Sequence, residues 1–297
     1  MSKKILCVGS CGFILSNFVR KVIKDKLDYQ VCSIDKISSS KDIHNVYSNR
    51  NHNFYIGNTL DKHFLKTVFE IEKPDIVIQG SLTNQEEFLL SNVIGTDNLC
   101  QVCEEYGSKL YLLSSDIVYG VSEDEELSHK ETDSCVIYSK YMTSLISSED
   151  LVQHSGGTVL RLSNAYGPRS KKQIITDLIR FHLKNETPYI WNVGYDFTHV
   201  EDVISAILVI IESGKEKIYN VSSSHQFSEK EVYNEIAKLI ELKDPIINQN
   251  TNSVSTLFRS SDNSKLRALG WKTQHTLQGW LPSVVQWYLN NQWFLKE

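Results

Sequence analysis

At 297 residues, with 41% apolar and 23% charged side chains, the chain has the composition of a soluble globular protein long enough to bury a sizeable core. A net charge of -5 removes the electrostatic case for nucleic acid, whose phosphates call for clustered Lys and Arg, and no apolar run reaches the roughly 18 residues that a membrane span needs. Ser2-Lys3-Lys4 leads into an apolar strand rather than a signal peptide, so a cytoplasmic setting is expected, and six cysteines lying mostly within apolar patterns suit reduced thiols.

In chain order, strands are expected at 4–8, 30–34, 54–56, 75–79, 109–113 and 158–162, with helices between most of them. The first strand runs into Gly9-Ser10-Cys11-Gly12-Phe13-Ile14-Leu15, a glycine turn that opens a helix. Gly9 and Gly12 let backbone N–H groups approach a pyrophosphate, whose charge the helix N-terminus favours. Asp35 ends the second strand, twenty residues beyond Leu15. From there a carboxylate accepts a hydrogen bond from an adenosine ribose 2′-OH and repels a 2′-phosphate, so the expected cofactor is NAD rather than NADP. The third glycine position of the motif holds Leu15, a side chain that must displace either its neighbours or the cofactor.

A long helix is expected from 84 to 106, stopped by Gly107, and Cys100 and Cys103 read as its interior rather than as a metal or redox pair. The acidic run Glu123, Asp124, Glu125 and Glu126 reads as a solvated loop. After Gly167-Pro168 the pattern turns to helices mixed with short strands, among them 189–192 and 217–221, with a helix over 200–212. The Asn-rich stretch 244–256 reads as an exposed loop. The whole predicts an α/β fold, a Rossmann-type doubly wound parallel sheet over 1–168, with 195–215 crossing back to it. A smaller C-terminal α/β substrate lobe is expected over 169–297.

Several segments taken together resemble the extended short-chain dehydrogenase/reductase family, most closely its nucleotide-sugar 4,6-dehydratases of the dTDP-glucose type. They are Gly9-Ser10-Cys11-Gly12-Phe13-Ile14, Asn92-Val93-Ile94-Gly95-Thr96, Ser114-Ser115-Asp116-Ile117-Val118-Tyr119-Gly120, Arg161-Leu162-Ser163-Asn164-Ala165-Tyr166-Gly167-Pro168, Asp196-Phe197-Thr198-His199-Val200-Glu201-Asp202 and Leu269-Gly270-Trp271. The resemblance implies an NAD-dependent hydride transfer at the sugar's C4, with a tyrosinate as base and a lysine four residues later on the same helix face, holding the nicotinamide ribose. It also implies cofactor contacts from Cys11, Phe13, Ile14, Asn58 and Lys140, a nucleotide-sugar diphosphate held near Asn164, and a homodimer built on the helices after 84 and after 139.

The catalytic pattern departs from the family's at named positions. With Lys140 as the lysine, the apolar Leu145 and Ile146 fall where relatives have apolar residues, and Val136 stands where the tyrosine belongs. Tyr138 points to another face of a regular helix, and only a distorted first turn would bring it back. Ser115 and Asp116 keep a hydroxyl and an acid, but Ile117 replaces the glutamate base of the dehydration step, and no hydrocarbon accepts a proton. Before Asp196-Phe197 relatives carry an arginine that pairs with a phosphate, and here Tyr195 stands, leaving Arg169, Arg180 or Arg259 to supply that charge. His199 reads as part of a packed turn. Two functions stay open on this reading: a nucleotide-sugar epimerase/dehydratase-like enzyme with an altered catalytic set, and an inactive binding or regulatory protein of the same fold.

Overall fold

Apolar runs such as Ile5-Leu6-Cys7-Val8 and Ile76-Val77-Ile78 are buried along their whole length, which requires a sheet with helices on both faces. The computed structural model describes residues 2–37, 42–82, 88–248 and 257–295. In chain order it holds β1 (Lys3–Val8), α1 (Phe13–Lys24), β2 (Tyr29–Asp35), β3 (Asn53–Ile56), α2 (Lys62–Glu72), β4 (Ile76–Gln79), α3 (Phe88–Tyr106), β5 (Lys109–Ser115), α4 (Lys140–His154) and β6 (Thr158–Leu162). There follow β7 (Asn164–Tyr166), α5 (Ile174–Lys184), β8 (Tyr189–Trp191), β9 (Val193–His199), α6 (Val200–Ser213), β10 (Ile218–Val221), β11 (Gln226–Ser228), α7 (Glu229–Ala237), β12 (Ile246–Asn248), β13 (Leu257–Arg259), α8 (Ser264–Ala268) and α9 (Leu277–Asn290).

Seven strands form one sheet in the order β10-β6-β5-β4-β1-β2-β3. β1 pairs in parallel with β2 and β4, β2 with β3, and β4 with β5, giving the doubly wound sheet expected. The order reverses between β1 and β4, and open α/β sheets hold ligands beyond the carboxyl ends of their strands at that point. The expected start of the long helix, at 84, lies outside the described residues, and α3 is described from Phe88.

Two compact units divide the chain: 1–118, 135–161 and 215–219 in the first, and 119–134, 162–214 and 220–297 in the second. In the first, Leu65, Val68 and Phe69 of α2 and Leu99 and Val102 of α3 pack on Leu6, Val8, Val77 and Leu112 of the sheet. Each such side chain contributes roughly 1.5–3 kcal/mol by leaving water. α3 and α4 meet through polar groups as well: Asn92 donates to Ser144 Oγ at 2.9 Å, and the Ser148 hydroxyl donates to the Asn92 carbonyl at 3.1 Å. Leu145 and Val152 of α4 are buried in the chain's own core, while Ile146 and Leu151 stay half-buried.

In the second unit β9 is the central strand, antiparallel to β11 and parallel to β13 and β7. Around it Ile175, Leu178 and Ile179 of α5, Val232 and Ile236 of α7 and Leu281, Val284 and Tyr288 of α9 form one core. The Tyr288 hydroxyl lies 2.8 Å from the Ser170 carbonyl and 3.0 Å from that of Gly167. Residues 246–248, expected in a loop, instead form β12, because Ile246 and Ile247 pair in parallel with Tyr189 and Ile190. The remainder of that stretch, 249–256, lies outside the described residues. All six cysteines are free thiols, and burial pushes those of Cys100 and Cys103 up, away from the reactive thiolate. Among the described residues no helix is long and apolar enough to cross a membrane, and no group of His, Cys, Asp and Glu could hold a metal ion.

Candidate active site

The glycine turn follows β1. Gly9 has φ +84°, and a Cβ there would stand 2.8 Å from the Ser81 Cα, so both conformation and space require glycine. Its N–H donates to the Ile34 carbonyl at 2.8 Å. Gly12 is the exposed N-cap of α1, with no side-chain cap and no acidic residue in the first turn. Phe13 and Ile14, half-buried, begin the helix behind it. The first-turn N–H groups and the positive end of α1 therefore remain available to an anion.

Asp35 closes β2 beside this turn. One carboxylate oxygen accepts from the Cys11 N–H at 2.8 Å and the other from the Ile37 N–H at 3.0 Å, which fixes the carboxylate in place. Asn45 adds a buried bond from its side chain to the Cys11 carbonyl at 2.9 Å. Gly57 N–H donates to the Asp35 carbonyl at 3.0 Å, so the exposed Asn58 follows directly in the turn after β3. The pairing of Cys11 with Asp35 had no sequence signal beyond the acid's spacing, and Asn45 had none.

Leu15 packs against the end of β4. Its side chain, 1% exposed, lies over Gly80 at the end of β4, where a Cβ would come within 2.9 Å of the Leu15 Cδ1. The leucine fills space that a residue without a side chain leaves, so the neighbour that makes room for it is Gly80.

At the far end of β5, Ser115 is half-buried and its Oγ accepts from the Ile117 N–H at 3.3 Å, while Asp116, 2% exposed, opens a single 3-10 turn over Asp116–Tyr119. α4 begins only at Lys140, capped by Ser139, whose Oγ accepts from the Met142 N–H at 3.2 Å. Residues 136–138 therefore precede the helix, contrary to the expectation that Val136, Tyr138 and Lys140 share it. The Val136 N–H donates to the Val118 carbonyl at 2.8 Å, which ties this segment to the 3-10 turn that follows β5. Lys140 is exposed, and Tyr138 is 75% exposed.

Behind this segment lies a buried ion pair that the sequence did not announce. Arg161 Nη2 meets Glu149 Oε2 at 2.6 Å, Arg161 Nε meets the same carboxylate at 3.0 Å, and the Ser114 hydroxyl donates to Glu149 Oε1 at 2.5 Å. Arg161 Nη2 also reaches the Cys135 Sγ at 3.2 Å, beside Val136. The available signal was Ser148-Glu149 on the face of α4 that carries Leu145 and Val152.

In the second unit, Asn164 starts β7 opposite Phe197 of β9. Tyr195 of β9 pairs in register with Arg259 of β13, and the guanidinium lies 4.9 Å from the centre of the Tyr195 ring. Arg180 pairs with Asp177 at 2.5 Å, and Arg169 lies over the Trp287 ring at 5.6 Å. His199 caps α6, accepting from the Glu201 N–H at 3.3 Å, and stacks on His275 at 4.7 Å, in keeping with a packed turn. Burial, with His275 beside it, pushes its imidazole down to about 3.

A profile of the NAD dependent epimerase/dehydratase family matches residues 5–222. The dTDP-D-glucose 4,6-dehydratase of Mus musculus is 28% identical, over 98% of this chain and 90% of its own length. Among solved structures, the dTDP-glucose 4,6-dehydratase of Bacillus anthracis in complex with NAD matches with a TM-score of 0.88 at 24% identity, over 98% of this chain and 97% of that one. The UDP-glucose 4-epimerase of Thermotoga maritima with UDP-glucose matches at 0.83 and 24%, over 97% and 99%. These two likenesses are of fold.

Proposed function

The chain belongs to the NAD dependent epimerase/dehydratase family, and on that premise we propose that it is an NAD-dependent enzyme acting on a nucleotide sugar with a rearranged catalytic set. The observation that carries the reading is the cofactor end: an open first turn of α1, glycines where a Cβ has no room, Asp35 fixed by two backbone N–H groups, and Leu15 accommodated by Gly80. These residues fit NAD. When bound, NAD supplies a hydride acceptor for the sugar's C4.

The chain's own groups do the rest. The turn's N–H groups hold pyrophosphate, Asp35 accepts from the adenosine ribose and excludes a 2′-phosphate, and Cys11, Phe13, Ile14, Asn58 and Lys140 complete the cofactor contacts. Ser115 donates to the sugar, Asp116 serves as acid, and Tyr138 takes the C4-hydroxyl proton in place of the missing tyrosine. Asn164 and Arg259 hold the diphosphate. Support for Arg259 comes from its place over Tyr195, the position where relatives carry a phosphate-pairing arginine. Ile117 offers no base for dehydration, so the product expected is a keto sugar or its epimer rather than a 6-deoxy sugar. A cytoplasmic homodimer through α3 and α4 belongs to the same proposal, with Ile94, 44% exposed, and the half-buried Ile146 available to a partner.

One observation favours a second reading, binding without turnover: Tyr138 is 75% exposed and precedes the helix. Incubation with NAD and nucleotide sugars of different bases, read by nicotinamide absorbance and product NMR, separates the two. The enzyme reading expects turnover that Tyr138→Phe lowers by about 10²–10⁴-fold. Binding of NAD and sugar with no turnover in the unaltered protein would leave the second reading standing.

A further inference from the structure

The glycine turn that opens α1 is held by a segment beyond β2 in which no catalytic group lies. A 3-10 turn over Asp42–Asn45 ends at Asn45, 2% exposed, whose Nδ2 donates to the Cys11 carbonyl at 2.9 Å. That carbonyl is one end of a peptide whose other end, the Gly12 N–H, donates to the Gly9 carbonyl at 3.0 Å. The preceding peptide is held as well, its Cys11 N–H by Asp35 at 2.8 Å. Two consecutive peptides are therefore fixed in orientation immediately before the first-turn N–H groups of α1.

Asn45 is itself anchored. Arg20 Nη2 of α1 donates to the carbonyls of Asn45 and Val46, each at 3.3 Å, and the guanidinium lies 4.9 Å from the centre of the Tyr47 ring. Further along, His52 Nδ1 lies 2.9 Å from the Tyr47 carbonyl and His52 Nε2 lies 2.8 Å from the Ser33 hydroxyl. A carbonyl can only accept, so Nδ1 carries the proton and Nε2 accepts from Ser33. Ser33 stands two residues before Asp35 on β2. Residues 45–52 thus form a brace strung between α1, the glycine turn and β2.

A pyrophosphate makes a demand that this brace meets: N–H groups must face the anion, and a carbonyl turned toward it would add repulsion to a lost hydrogen bond. A turn built on glycines is also the stretch of chain freest to rotate its peptides. Resting on the reading of this turn as the NAD site, we propose that Asn45 is a positioning residue for the cofactor. By fixing the Cys11 carbonyl it keeps the N–H groups that follow ready for the pyrophosphate, so NAD affinity depends on a segment outside both the glycine motif and Asp35.

Calorimetric titration of the full chain with NAD at several pH values, beside urea denaturation, tests this. Asn45→Ala should weaken NAD about tenfold, because a buried carbonyl loses its donor and the turn its orientation. Asn45→Asp discriminates, since the new carboxyl keeps the shape and can donate to the Cys11 carbonyl only while protonated. Its NAD affinity, relative to the unaltered chain at each pH, should fall as pH rises through the titration of that carboxyl. Arg20 of α1, Asp35 of β2 and His44 and His52 beside it are common to both chains, so the difference belongs to the substituted side chain. A merely structural role would lower the urea midpoint and leave the affinity of the folded chain unchanged. Should the variants fail to fold, hydrogen exchange on the unaltered chain decides: NAD should slow the amides of residues 43–47 about tenfold, because a ligand that needs the turn fixed stabilises what fixes it. Unchanged affinity in Asn45→Ala, parallel pH profiles, or exchange that NAD does not slow would overturn the assignment and leave the NAD site intact. An unaltered chain that does not bind NAD would instead remove the reading on which the assignment rests, and the assignment with it.

Discussion

Leu15 and Gly80 exchange volume across the first unit, so each explains the other. Leu15→Gly is expected to open a cavity under the sheet and to cost about 3–5 kcal/mol, combining a large-to-small core change with glycine in a helix. NAD affinity should not improve, because the leucine side chain packs on Gly80 rather than on the turn. The double variant Leu15→Gly/Gly80→Leu should recover part of the loss, and a denaturation cycle in which the two changes simply add would refute the coupling. Two buried groups of the second unit also make opposite demands on pH. Glu229, raised from 4.5 to about 7 by burial, holds a proton in the folded chain that the unfolded chain releases, so its contribution is complete below about 4.5 and is lost as pH rises through about 7. His199, lowered from 6.5 to about 3, behaves in reverse: its contribution is complete above about 6.5 and is lost as pH falls toward 3. Between about 4.5 and 6.5 the two slopes cancel. Relative to the unaltered chain, Glu229→Gln should therefore gain stability as pH rises across that interval, on the order of 2–3 kcal/mol, measurable by urea denaturation of both chains at several pH values. A stability difference between the two chains that does not change with pH would mean that burial does not raise the Glu229 carboxyl.

At the scale of the element, what could be read in the sequence follows from how each element is buried. Of the six strands 4–8 through 158–162, all but the half-exposed edge strand at 54–56 were legible because parallel strands covered on both faces are largely apolar runs closed by turns. The glycine turn and Asp35 were legible because their spacing is fixed by one strand, one helix and one further strand. The start of α4 was not. Val136-Ile137-Tyr138 continues the apolar pattern of the helix backwards, and what ends the helix is local: the Ser139 cap and the Val136 N–H held by the Val118 carbonyl. The second unit was less legible again, since β7, β8, β11, β12 and β13 have three residues each and owe their pairing to β9 or to one another rather than to alternation. The ring contact between Arg259 and Tyr195 follows from such a register, 64 residues apart, and only that register separates Arg259 from the other two arginines that the sequence left open.

For the molecule as a whole, a ligand that binds the folded chain alone stabilises it by mass action. NAD at about 100 times its dissociation constant should add about 2.7 kcal/mol, a thermal shift of several degrees for a chain of this size. NADP should give no comparable shift, because its 2′-phosphate would meet Asp35, already fixed by the Cys11 and Ile37 N–H groups. Equal shifts from the two would remove Asp35 as the discriminator. The order of the sheet has a further consequence, for synthesis. β10, the edge strand beside β6, is translated only after residues 163–217, most of which belong to the second unit. At ribosomal rates that interval lasts roughly 3–11 seconds. Throughout it β6, buried along its entire length in the finished protein, leaves the ribosome as a bare sheet edge. The nascent chain therefore passes through a window in which it is a template for other chains, and holding that edge covered is a task for the chaperones of the cell that makes it.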